Sequence, residues 1–60
     1  MDIMNEVWLV ESTFAESGES FVTSAWSRRE KAKEQADKNK LDACYKTATF
    51  YPMYIDFGED

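Results

Sequence analysis

From Asn5 to Phe14, apolar and polar residues alternate with the period of a β-strand. Val7 and Leu9 share one face with Glu11 and Thr13, while Trp8, Val10 and Phe14 share the other with Ser12. The stretch Ala15-Glu16-Ser17-Gly18-Glu19 interrupts the alternation as a turn, with Gly18 supplying the positive φ that short hairpin loops often need. Residues 20–26 form the returning strand, with β-branched and aromatic content in Phe21, Val22, Thr23 and Trp26.

The period then lengthens to that of a helix. Ser27-Arg28-Arg29-Glu30 reads as a capping box, in which the Ser27 hydroxyl accepts from the Glu30 N–H and the Glu30 carboxylate reaches back. Alanine at Ser27 is then expected to cost about 1 kcal/mol. The helix, over 28–40, carries a stripe of small residues, Ala32 and Ala36, with Ala43 on the same face if it continues. Asn39 or Lys40 is the expected end, since asparagine tolerates a left-handed cap, and Glu34 and Lys38 are spaced as an ion pair.

Alternation resumes from about Lys46 to Phe57. Pro52 has no N–H for a ladder, so this last strand is either an edge or split into 46–51 and 53–57. The elements run β-β-α-β in a single domain over 1–60. They predict a small α+β fold, a three-stranded antiparallel sheet with one helix packed on one face and the first strand central.

One helix covers one face of such a sheet, yet both faces of the first and last strands are partly apolar. Trp8, Val10, Phe14, Trp26, Phe50 and Tyr54 are the candidates for the uncovered face, and large exposed apolar patches mark interaction sites. The alternative is a mixed face that solvent tolerates.

Size and composition narrow the chemistry. A chain of 60 residues buries only about 60% of its unfolded surface and needs a staple, dense packing or a partner. Cys44 is the sole cysteine and histidine is absent, which excludes an internal disulfide and a zinc site of nitrogen and sulfur ligands. Nine aromatic residues, Phe57 among them, supply much of the packing. There is no catalytic constellation, phosphate loop or cofactor motif, so a non-enzymatic protein without a cofactor is expected. Cys44 reads as a buried structural thiol. No run is long enough to span a membrane and no signal pattern opens the chain, so a soluble, cytoplasmic protein is expected.

Charge is segregated. Residues 1–27 hold five acids and no base, residues 28–40 hold six bases and three acids, and residues 41–60 hold four acids and Lys46. A basic helix thus lies between acidic flanks. Arg28, Arg29, Lys31 and Lys33 are candidates for phosphate contact, but the net charge of −5 argues against nucleic acid as the main partner. Positive residues in the first helical turn also oppose the helix dipole.

Val7-Trp8-Leu9-Val10, Phe21-Val22, Ser27, Glu30-Lys31-Ala32, Ala36 and Tyr54-Ile55-Asp56 together resemble very short proteins of phages and prophages: a hairpin, then Ser-x-x-Glu-Lys-Ala, then a last strand. The resemblance covers most of the chain. It implies the β-β-α-β fold, a phage or bacterial origin, and an accessory role in binding and modulating a host protein. It supplies no site residues.

The expected function is therefore binding to, and modulation or inhibition of, a host or phage protein. Trp8, Phe14, Trp26 and Tyr54 are the expected anchors and Glu11, Glu16 and Glu19 the charged rim. The alternatives are a nucleic-acid-binding regulator using the helix 28–40, and a homodimer with its sheets face to face.

Overall fold

A computed structural model of the chain describes residues 4–56, with side-chain surroundings for 6–54. Three strands and one helix follow in the order β1 (Met4–Phe14), β2 (Ser20–Trp26), α1 (Arg29–Lys40) and β3 (Tyr45–Asp56). The sheet is antiparallel throughout, in the order β2-β1-β3, so the first strand is central. This is the expected α+β fold. Phe57, expected to end the last strand, lies outside the described residues.

The β1–β2 turn is closed by two backbone bonds, from Gly18 N–H to the Phe14 carbonyl and from Phe14 N–H to the Glu19 carbonyl, each 2.9 Å. Gly18 holds a φ of 78°, which a side chain would strain. The register slips at the middle of the hairpin, where Val10 pairs with Ser24 but Glu11 pairs with Val22. Thr23 is the extra residue of this bulge. Its hydroxyl lies 3.2 Å from that of Ser12 and 3.3 Å from the Val10 carbonyl. β3 runs unbroken through Pro52, which pairs with Trp8 on an edge strand; of the two sequence readings, the edge holds.

The registers settle which face α1 covers. Trp8 lies opposite Trp26 and Pro52, Val10 opposite Ser24 and Phe50, and Ser12 opposite Phe21 and Ala48. Val10, Ala32, Ala36 and Ala48 form the buried core, flanked by Trp8, Trp26 and Phe50. The helix therefore sits on the Trp8–Val10–Ser12 face. This corrects the expectation that Trp8, Val10, Phe14, Trp26, Phe50 and Tyr54 supply the uncovered face: the register sets all six on the same face as Val10. The reason is steric: Ser12 and Ala48 are small, and they make the shallow seat that a helix with an alanine stripe needs.

The start of α1 also differs from expectation. Arg28, in extended conformation (φ −122°, ψ 139°), is the N-cap, and no side chain caps the helix; Ser27 is exposed and outside it. The first turn instead carries Arg29 over the sheet, its guanidinium carbon 5.9 Å from the Trp8 ring centre and 5.3 Å from that of Phe50. This contact offsets the unfavourable charge in the first turn, and the capping cost predicted for Ser27 does not apply.

At the other end the helix stops at Lys40, as expected, but without a left-handed residue: Leu41 stays right-handed and donates its N–H to the Lys38 carbonyl at 3.1 Å. Ala43 falls in the exposed loop, and Asn39 takes the third buried position on the helix after Ala32 and Ala36. The ion pairs that form join Asp37 to Lys33 (3.2 Å) and Lys40 (3.9 Å) rather than Glu34 to Lys38. They are solvent-exposed and contribute little to stability.

Asn39 deserted the cap for the core. Its amide donates to Ser12 Oγ (3.0 Å) and Thr23 Oγ1 (3.3 Å), and its carbonyl accepts from Gln35 at 3.0 Å. Among the described residues, no buried side-chain polar atom is left without a partner. The polar cluster ties the helix C-terminal half to the bulge of β2 through the central strand.

Candidate functional site

The seven residues singled out by sequence do not form one surface. Trp8 and Trp26 face each other across β1 and β2, half-buried beside the core under the start of α1, and Trp26 Nε1 donates to Ser24 Oγ at 2.8 Å. Tyr54 lies toward the far end of β3, exposed, with its hydroxyl donating to Glu6 at 3.2 Å. Glu11 is on the opposite face, where it accepts from Tyr51 at 3.1 Å. Both tyrosines are held above the ordinary phenol range, each chiefly by this hydrogen bond to a carboxylate.

Phe14, Glu16 and Glu19 do come together. They line an open groove of about 860 Å³ at the hairpin end of the sheet, together with Phe21, Ala43 and Cys44. Its floor is aromatic: the Phe14 ring stands 5.5 Å from Phe21 and 5.2 Å from Tyr45, centre to centre. Its walls are two loops joined by a bond from Ala15 N–H to the Cys44 carbonyl at 2.9 Å. Phe21 is half exposed, at 50%. No lysine or arginine lines the groove, while Glu16 and Glu19 do. An apolar floor below two carboxylates suits a segment that combines apolar and basic side chains.

Phe21 and Cys44 were not expected here. Phe21 points with Phe14 because the Thr23 bulge shifts the parity of β2, a change that alternation alone does not reveal. Cys44 is exposed, not buried as expected, because α1 ends before it and leaves it in the connecting loop. The thiol is nonetheless a weak acid. A hydrogen bond to Asp42, then that carboxylate's charge, raise it above its ordinary value near 9. Below that raised value the thiol keeps its proton and reacts slowly, because the thiolate is the nucleophile. Alkylation of Cys44 at pH 8 is therefore expected to be slower than that of a free cysteine, and Asp42→Asn should accelerate it. Equal rates for the two proteins, followed by mass spectrometry, would refute the role of Asp42.

The second surface is the sheet face away from α1. Val7 pairs with Met53, Leu9 with Ala25 and Tyr51, Glu11 with Val22 and Thr49, and Thr13 with Ser20 and Thr47. None of these side chains is buried; Val22 is 52% and Met53 45% exposed. This is the apolar face that the helix leaves open, and its residues are the odd-numbered positions of β1 with their partners.

The basic helix is partly engaged within the chain. Arg29 lies over Trp8 and Phe50, and Lys33 and Lys40 contact Asp37. Among the described residues no cluster of three or more potential metal ligands occurs, and no helix is long and apolar enough to cross a membrane. Comparison of the chain with family models, curated proteins and solved structures finds no match in any of the three.

Proposed function

We propose that this chain is a phage-type accessory protein of the host cytoplasm, non-catalytic, which binds and modulates or inhibits a host protein through the groove at its hairpin end. The observation that supports this reading is the pairing of an aromatic floor, Phe14 and Phe21, with an acidic rim, Glu16 and Glu19. Aromatic anchors supply contact energy, and rim charges guide encounter with a basic partner surface. Nucleic acid is the weaker alternative, since Arg29, Lys33 and Lys40 are already engaged and the chain carries a charge of −5.

The test is retention of a bacterial host protein by the immobilised chain, followed by reconstitution with the purified partner. The double variant Glu16→Lys/Glu19→Lys changes exposed residues and should leave the melting temperature unchanged, whereas Phe21→Ala also loses its ring contact with Phe14 and should lower it by about 4–8 °C with the domain still folded. Both should lose binding at least tenfold, and wild-type affinity should fall with added salt. Undiminished binding by both variants would overturn the groove as the contact.

A further inference from the structure

The groove leaves the open face of the sheet unexplained, and its composition is unusual for so acidic a chain. Among the residues set in register by Val7, Leu9, Glu11 and Thr13, Glu11 carries the one charge. Its carboxylate is already bonded to Tyr51. The remainder are Val22, Ala25, Tyr51, Met53, serine and threonine. A copy approaching an acidic side of the chain meets several carboxylates at short range; among these residues of the open face it meets Glu11 alone.

We infer that this face packs against the same face of a second copy, forming a two-layered sheet dimer with the helices outside. The size of the face suits that occupant. β1 and β3 pair over a length of about 37 Å, and β2 widens the face to about 14 Å only along Trp8–Thr13. Two such faces remove about 900 Å² from water, the size of a weak, transient interface. The dimer is accordingly reversible and concentration-dependent.

Symmetry also keeps the two copies of this charge apart. A two-fold axis crossing the strands at Leu9 sets Glu11 of one copy against Val7 of the other. The two Glu11 residues then stand about 14 Å apart along the strands, beyond the screening length of physiological salt. Stacked sheets about 10 Å apart leave room for side chains of the size of leucine, methionine and tyrosine to interdigitate. The grooves at the hairpin ends remain open in both copies.

Light scattering on a sizing column, over a hundredfold concentration range, tests the dimer. The wild-type mass should rise from 7.0 kDa toward twice that value as concentration increases. Val22→Glu and Met53→Glu introduce charge at exposed positions and should each hold the mass at 7.0 kDa throughout, with unchanged circular dichroism. Phe21→Ala, in the groove, should dimerise as the wild type does, which separates this contact from partner binding. A wild type that stays at 7.0 kDa at the highest concentration would overturn the inference. So would a dimer that survives both glutamate substitutions.

Discussion

Ala36→Leu is expected to remove a large part of the domain's stability. Ala36 is fully buried where α1 meets the sheet, in a core whose other members are Val10, Ala32 and Ala48. A leucine there must displace Val10 or Ala48, or lift the helix from its seat. Overpacking of this kind costs about 1–3 kcal/mol, and a domain this small has only about 3–5 kcal/mol to lose. The melting temperature should fall by roughly 4–8 °C for each kcal/mol lost. Ala43→Leu adds the same atoms in the exposed loop and should stay within about 0.5 kcal/mol of the wild type. Thermal denaturation of the pair decides it: equal melting temperatures would mean that the helix is not held against the sheet by close approach.

Asn39→Ala should be the next most damaging change. It removes the two bonds donated to Ser12 and Thr23 and the one accepted from Gln35. Ser12 is fully buried, so its hydroxyl keeps only its contact with Thr23 and cannot turn to water for the lost one. A loss of about 1–3 kcal/mol follows. The same substitution in a Ser12→Ala background should cost less, by at least about 0.5 kcal/mol, because the shared contact is already gone. Strict additivity in chemical denaturation would show that the two residues do not act as a unit.

The fold was legible because its signals are local and agree with one another. Alternation in β1, the Gly18 turn and the change of period after Trp26 point to the same element order, and the helix ends at Lys40 as read. What could not be read is which face of the sheet α1 covers. Alternation separates Trp8, Val10 and Phe14 from Val7 and Leu9, but both sets are apolar, and bulk drew attention to the tryptophans. The informative residues were the small ones, Ser12 and Ala48, which mark where a helix can approach. The bulge at Thr23 compounds the difficulty, since one extra residue reverses the parity of the strand beyond it. Of the expected site, Phe14, Glu16 and Glu19 meet because they flank one turn, whereas the register pairs Trp8 with Trp26 beside the core and leaves Tyr54 and Glu11 elsewhere. The cap at Ser27 failed for another reason: Arg29 reaches a pair of aromatic rings that are distant in sequence.

Pro52, in the middle of an edge strand, bears on how far any assembly of this chain can grow. An edge of twelve residues is a template for another strand, and strand-to-strand addition has no natural end. A residue with no hydrogen to donate breaks that template near its centre, so edgewise joining of copies into a fibril is discouraged. Stacking about a two-fold axis closes on itself after two copies. The strand thus permits a finite assembly while opposing an endless one, and replacing the ring by an ordinary residue would relax that restraint.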